Sequence, residues 1–594
     1  MNRLAFTAAL AASLLLAACQ TPHSSADRTT DARAPDPSTP HAPPPAPPAP
    51  STTMALETTA MAIQADRAAG AQARKLHAAS PFRPGHQVIP PPRPWPADPA
   101  NTEEYAEVED NPVRRASEHP VSTFSVDVDT GSYSNVRRML RMGVRPPPDS
   151  VRAEEFINYF SHGHPAAATR EVPFRVTTEI APAPWDPARH LLMVGIKGYD
   201  VPKAELPPAN LVFLVDTSGS MHSPDKLPLL RQAFAALTDQ LRAQDKVSIV
   251  AYAGSAGLVL PPTPGDRKGE ILAALERLQA GGSTNGGAGI TLAYAMARQG
   301  YVEGGANRVI LATDGDFNVG TVERGTLEAL VADQRKSGIA LTTLGFGTGN
   351  YNDAMAERLA DAGDGNHAYI DTLLEARKVL VEEMSSTLLT IARDVKVQIE
   401  FNPAVVAEYR LVGYANRMLR EEDFANDRVD AGDIGAGHEV TALYEIALAG
   451  SGAERLPPLR YGASDSQAKA RTGELAHLRL RYKQPDSDTS RLIEVPLRRE
   501  DIRAQAGPSL RFAATVAAFA DALRGGHNLG TWDWDAISAS ARGSRGDDRW
   551  GLRAEFAELV EAGRTVTRGD SDREHGRDDG GRDEGRDSRG HTGR

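Results

Sequence analysis

Leu211-Val212-Phe213-Leu214-Val215-Asp216-Thr217-Ser218-Gly219-Ser220 joins a buried strand to a loop of oxygen ligands. The five apolar residues 211–215 form an unbroken run without alternation. Such a run fits a parallel strand covered on both faces. The strand ends in a D-x-S-x-S turn. In open α/β sheets, ligands bind beyond the carboxyl ends of the strands, so this turn stands in the right place. A spacing of two brings one carboxylate and two hydroxyls to a common point, and Gly219 lets the backbone turn tightly.

The sequence around this stretch repeats the same grammar. Leu227, Leu230, Phe234, Leu237 and Leu241 recur at spacings of three and four, which predicts a helix with one apolar face. Residues 247–252 read as a strand, and Ile271, Leu275 and Leu278 mark a helix. Residues 309–312 read as a strand, 327–331 as helix, 339–346 as strand and 373–384 as a closing helix. The alternation predicts a parallel sheet with helices on both faces.

Two further loops belong with the first. Gly281-Gly282-Ser283-Thr284-Asn285-Gly286-Gly287 offers another hydroxyl. Thr313-Asp314-Gly315 follows an apolar strand and offers a second carboxylate. The predicted ligands are Asp216, Ser218, Ser220, Thr284 and Asp314. An oxygen-only set with few carboxylates suits a hard divalent cation, Mg2+ first, with Mn2+ or Ca2+ as alternatives. Neutral hydroxyls leave the ion residual positive charge. Waters complete its shell, and an acidic side chain from a partner is their natural replacement.

These five residues resemble the metal-ion-dependent adhesion site of the von Willebrand factor A (VWA) family. That site combines D-x-S-x-S with a distal threonine and a distal aspartate, and all five positions match in order. The resemblance implies a Rossmann-like fold and metal-mediated protein binding. It also implies that Ser218, Ser220 and Thr284 bind the ion directly or nearly so, and that Asp216 and Asp314 act directly or through water. The flanks resemble bacterial VWA lipoproteins over about residues 115–565. The residues that carry this likeness are 125–134, Pro146-Pro147-Pro148, 155–160, 312–318 and the Trp532-Asp533 to Trp550 region.

Outside the α/β unit the reading is mixed. Residues 122–128, 174–180 and 191–196 are strand-like, while 136–142 and 154–160 look helical. After residue 393, five strand-like segments predict a small antiparallel sandwich. They are 395–401, 409–414, 440–446, 476–482 and 492–497. Phe512, Val516, Phe519 and Leu523 mark a helix, and 550–560 another. Strand-like sequence on both sides of the α/β unit predicts that the VWA domain is inserted into a β-rich flanking domain.

The chain has 594 residues, 24% charged and 41% apolar, with a net charge of -12. That length implies about three folded units. With no basic stripe to neutralise phosphates, the composition argues against a nucleic-acid partner. Cys19 is the single cysteine, so no intramolecular disulfide exists. It follows a basic start, an apolar run over 4–18 and Leu16-Ala17-Ala18, which resembles a bacterial lipobox. That likeness implies cleavage before Cys19 and its acylation. Gln20 in the next position favours the outer membrane, again by resemblance to bacterial sorting signals. Residues 19–114 are rich in Pro and Ala and read as a spacer. Residues 565–594 are rich in Arg, Asp and Gly and are expected to lack order.

The expected layout is therefore a signal peptide (1–18), a linker (19–114), an N-terminal module (115–206), the VWA domain (207–393), a C-terminal module (394–564) and a tail (565–594). The expected function is adhesion or scaffolding at the bacterial cell envelope. The chain would be lipid-anchored, and its metal would capture a protein partner through an acidic side chain, without catalysis. Two alternatives stand beside it. Asp127 and Asp129 in Val126-Asp127-Val128-Asp129-Thr130 imitate the start of a haloacid-dehalogenase-type phosphatase. That reading needs one α/β core from Asp127 to Asp314, where a complete sheet already intervenes, and a capped turn after an edge strand is the preferred reading. The metal could also be purely structural. Asp129-Thr130-Gly131-Ser132 imitates one aspartic-protease loop, but that chemistry needs two. Ser161-His162-Gly163-His164 could bind a metal, but two histidines with no cysteine or acidic companion read as solvated.

Overall fold

In the computed structural model, residues 103–579 are described except 283–285, 316–323, 350 and 458–472. The chain first forms β1 (Arg114–Arg115), β2 (Val121–Ser125), α1 (Gly131–Arg141), α2 (Ala153–Asn158), β3 (Phe174–Ala183) and β4 (Asp186–Gly198). The α/β unit begins with β5 (Ala209–Asp216), α3 (Leu227–Thr238), β6 (Lys246–Tyr252), β7 (Ala256–Pro264) and α4 (Lys268–Glu276). It continues with α5 (Gly286–Gly300), β8 (Ala306–Thr313), α6 (Arg324–Arg335), β9 (Ile339–Phe346), α7 (Asp353–Ala362) and β10 (His367–Ile370). It closes with α8 (Leu373–Arg377) and α9 (Met384–Leu388), joined by a π-helical turn at Lys378–Glu382. The final segment holds β11 (Thr390–Phe401), β12 (Val406–Val412), β13 (Ile434–Gly435), β14 (Glu439–Leu448), β15 (Glu474–Lys483) and β16 (Ser490–Arg498). Three helices follow: α10 (Pro508–Leu523), α11 (Trp534–Gly543) and α12 (Leu552–Asp579).

The sheet of the α/β unit has the order β10-β9-β8-β5-β6-β7. Five strands are parallel. The sixth departs from the all-parallel expectation, because β7 pairs antiparallel with β6. Only Ala253, Gly254 and Ser255 join the two strands, and a parallel return needs a crossover of a dozen or more residues. β5 explains its own apolar run. Leu211, Phe213 and Val215 enter one core with α3 and α4, whereas Val212 and Leu214 enter another with α5, α6 and α7. Alternate side chains of a strand point to opposite faces, so both sets must be apolar.

The flanking strands form two further sheets, β1-β12-β14-β4-β3 and β13-β11-β15-β16, with β2 added to β11. Each mixes strands from before and after the α/β unit. β4 pairs with β14 from His190↔Ile446 to Lys197↔Glu439, and β2 pairs with β11. The VWA domain is thus an insertion in a sandwich that neither flank builds alone. β4 again divides its residues. Leu192, Val194 and Ile196 face the sandwich core. Leu191 and Met193 face a helical layer containing Phe156, Phe160, Phe512, Phe519 and Phe556. The last helix runs on to Asp579, past the point near residue 565 where composition predicts the end of order. A helix already started on packed turns extends at little cost, because nucleation is the expensive step.

Buried ion pairs clamp the insertion to its flanks. Arg137 on α1 meets Asp371 at 2.5 Å and Glu375 at 2.7 Å. Arg152 meets Asp353 at 2.6 Å and also pairs with Glu155. Arg417 lies 3.1 Å from Asp127, 3.2 Å from Glu357 and 2.7 Å from Asp361. Removing one partner of a buried pair strands the other charge, at about 3–5 kcal/mol. Arg417→Met should therefore destabilise the protein by about that amount, read as a lower midpoint in urea unfolding.

Candidate metal centre

The order of the parallel sheet puts its reversal between β5 and β8, since β6 lies on one side of β5 and β8 on the other. Asp216 ends β5 and Asp314 follows β8 directly. The two predicted carboxylates therefore leave neighbouring strands at the switch point, where this fold class opens a crevice. Both are fully buried.

Each carboxylate is half satisfied. Asp216 Oδ1 accepts the Ser218 backbone N–H at 2.8 Å. Asp314 Oδ2 accepts the Lys226 ammonium at 2.9 Å. Asp216 Oδ2 and Asp314 Oδ1 are buried and accept no hydrogen bond among the described residues. Burial, with a smaller contribution from Asp314, lifts the Asp216 carboxyl to about 6, against hydrogen bonding from Ser218 and, more weakly, from Tyr252. Buried oxygens left without donors are costly, and a cation is one way to satisfy them.

The hydroxyls stand alongside. Ser218 Oγ and Ser220 Oγ lie 2.9 Å apart, Ser218 buried and Ser220 exposed. The second loop is stitched to this turn by two backbone bonds, Gly219 N–H to Gly282 C=O at 3.1 Å and Gly281 N–H to Thr217 C=O at 2.8 Å. Thr284 itself lies outside the described residues. The structure thus brings together Asp216, Ser218, Ser220 and Asp314. No group of three or more His, Cys, Asp or Glu side chains among the described residues is arranged to hold an ion. The donors brought together are two carboxylates plus hydroxyls, a set whose chemistry fits a hard divalent cation. The residue that the sequence pattern did not single out is Lys226.

The chain is similar in sequence to known proteins. Family profiles match residues 210–383 as a von Willebrand factor type A domain, 99–193 as von Willebrand factor, and 386–566 as the C-terminal region of the uncharacterized protein YfbK. Over 480 residues the chain is 48% identical to YfbK of Escherichia coli strain K12, covering 78% of this chain and 82% of that protein.

The chain belongs to the YfbK family.

An uncharacterized protein of Synechocystis is 27% identical over 49% of this YfbK-family chain and 65% of its own length. Among solved structures, a von Willebrand factor type A protein from Catenulispora acidiphila is 16% identical, covering 64% of this chain and 88% of its own, with a TM-score of 0.35. BatB from Bacteroides thetaiotaomicron is 22% identical, covering 30% of this chain and 97% of its own, with a TM-score of 0.26.

Asp127 and Asp129 sit elsewhere in the YfbK-family fold. They line a cavity of about 250 Å³ near the start of β10, together with Asp361, Asp364, Asp433 and Arg417. Asp127 Oδ1 accepts the Asp129 N–H at 3.1 Å, which is a capped turn after β2. Asp127 Oδ2 is taken by Arg417, and Asp129 Oδ1 accepts the His367 N–H at 2.8 Å. Burial and the Asp127 charge push the Asp129 carboxyl well up.

His162 and His164 correct the solvated reading, for both are buried. His162 Nε2 lies 2.9 Å from the Ile157 carbonyl. His164 spans Thr441 Oγ1 at 3.1 Å and Thr177 Oγ1 at 3.2 Å. The turn is drawn inward because Glu439 accepts the backbone N–H groups of both histidines. Burial lowers His162 to about 4. Between that value and the usual 6.5, the unfolded chain binds a proton that the folded chain does not, so stability falls as pH drops through this window. At about pH 5 the loss from this one group is about 2 kcal/mol. His162→Gln, which keeps a donor for Ile157, should flatten the decline in melting temperature between about pH 7 and pH 5.

Proposed function

We propose that this YfbK-family chain is a binding module of the bacterial cell envelope, in which the centre at Asp216, Ser218, Ser220, Thr284 and Asp314 captures an acidic side chain of a protein partner. The observation that carries this reading is the pair of buried, unmet carboxylate oxygens, Asp216 Oδ2 and Asp314 Oδ1, at the sheet's switch point. A bound divalent ion, Mg2+ first, supplies there an open coordination position for an incoming oxygen. The chain's own residues do the rest. Ser218 N–H fixes Asp216, Lys226 fixes Asp314, and the Gly281–Gly282 stitch holds the second loop against the first. Few ligands are charged, so the centre favours an anionic contact.

A non-catalytic role is part of the proposal. It is supported by the way Asp127 and Asp129 are engaged by Arg417 and by backbone N–H groups. The proposal also tethers the chain to the outer membrane by lipid at Cys19. Among the described residues no helix is long and apolar enough to cross a membrane.

Two experiments test these statements. Mg2+ at a hundredfold excess over its Kd should stabilise the wild type by about 2.7 kcal/mol. It should not stabilise the Asp216→Ala, Ser218→Ala double variant, which should also lose partner recovery from envelope fractions, as should wild type in EDTA. Recovery unaffected by both treatments rejects metal-dependent capture. Separately, Cys19→Ser should move the protein from the membrane fraction to the soluble fraction. Unchanged partitioning rejects the lipid tether.

A further inference from the structure

Lys226 stands where helix electrostatics would not put an ammonium. It is the residue before α3, at the helix end that carries partial positive charge and prefers anions. A lysine at such a position ordinarily reaches into water. This one is buried, at 5% exposure, and its ammonium ends 2.9 Å from Asp314 Oδ2.

The fold keeps a lane open for it. The stem of Lys226 passes against Gly347, just after β9. A Cβ at that position would lie 2.2 Å from Lys226 Cε and 2.3 Å from Cγ, so a side chain there would displace the lysine. Gly347 also has φ +75, a conformation that glycine adopts without strain. The Tyr369 hydroxyl donates to the Gly347 carbonyl and pins the loop. Three elements, the start of α3, the end of β9 and β10, therefore hold one lysine against one aspartate.

The result is a division of labour between two carboxyl groups. In Asp314 the oxygen Oδ2 is occupied by Lys226 and Oδ1 is left unmet. In Asp216 the oxygen Oδ1 is occupied by the Ser218 N–H and Oδ2 is left unmet. Each aspartate thus has one oxygen engaged by the protein and one held open.

We infer that Lys226 is a resident counter-ion and positioning residue of the metal centre, which orients Asp314 before a divalent ion arrives and keeps a positive charge beside the ion afterwards. The inference rests on the metal-binding reading proposed above. Its consequence follows from charge. Counting the described residues, two aspartates, one lysine and a divalent ion would give the centre a net single positive charge. Without the lysine the same centre is neutral. Lys226 therefore weakens the hold on the cation, because like charges repel across a poorly solvated gap. It strengthens the pull on an acidic ligand for the same reason. It also spares the metal-free protein a buried carboxylate without a partner.

The test uses the purified full-length protein and Mg2+ alone as the probe, with affinity from titration calorimetry and melting temperature in EDTA and in saturating Mg2+. Lys226→Met is expected to bind Mg2+ about tenfold more tightly than wild type. It should melt lower than wild type in EDTA and recover most of that deficit in Mg2+, because the ion takes over the stranded charge. Lys226→Arg, which keeps the charge, should bind Mg2+ close to wild type. If Lys226→Met fails to fold, Lys226→Gln carries the same expectation while retaining a donor toward Asp314. Unchanged or weaker Mg2+ binding in the uncharged variants overturns the role of Lys226, as does a melting deficit that Mg2+ does not repair. Failure of wild type to bind Mg2+ rejects the metal-binding reading itself and this role with it, a result distinct from the first two.

Discussion

A carboxylate taken out of water must be met by opposite charge or by hydrogen-bond donors, since the desolvation penalty otherwise exceeds what packing returns. Asp216 and Asp314 are both fully buried at the ends of adjacent strands, and the surrounding structure is arranged around that fact. Ser218 turns its backbone N–H onto one of them, and Lys226 leaves the helix start to meet the other. Gly347 gives up a side chain to let the lysine pass. One oxygen of each carboxylate remains without a donor, and the hydroxyls of Ser218 and Ser220 lie 2.9 Å apart in the turn that follows Asp216.

The same constraint joins the α/β unit to the body that carries it. Arg137, Arg152 and Arg417 each lie outside the inserted unit, and each is paired with a buried carboxylate of that unit, Asp371, Asp353 and Glu357 respectively. Breaking such contacts would leave charges stranded in the interface, so the unit is held by more than its two chain crossings. Strand pairing adds to this, because β4 and β14 approach from opposite sides of the insertion and share eight paired positions. The bond from His367 to Asp129 is one contact that ties the sheet of the insertion to its flank.

Several elements were legible from local pattern alone. β5 showed its double burial as an unbroken apolar run, and α3 showed its single apolar face as a three-four spacing. Other elements left no such trace. α5 opens on three glycines within its first four residues, and glycine is a poor helix former. Yet a Cβ on Gly289 would lie 2.9 Å from Tyr252 Cβ, so small residues serve close packing on the sheet. β7 carries prolines, which fit an edge strand, and its direction follows from the shortness of its connection to β6. The histidine turn looked solvated because the group that buries it, Glu439, lies far along the chain.

The sequence by itself determined the class of the fold and pointed to loops of oxygen donors at the ends of its strands. Ligand spacing within a turn and alternation within a strand are local properties, written within a few consecutive residues. Sequence pattern also pointed to an insertion, because strand-like segments flank the α/β unit on both sides. Only the tertiary structure decided that the two flanks share sheets strand by strand, and only it decided which charge answers which. Lys226 and Asp314 are 88 positions apart and Arg417 and Asp127 are 290 apart. No local periodicity links such residues. They meet because buried strands bring their ends together, and burial then requires each charge to find the partner that the fold has placed beside it.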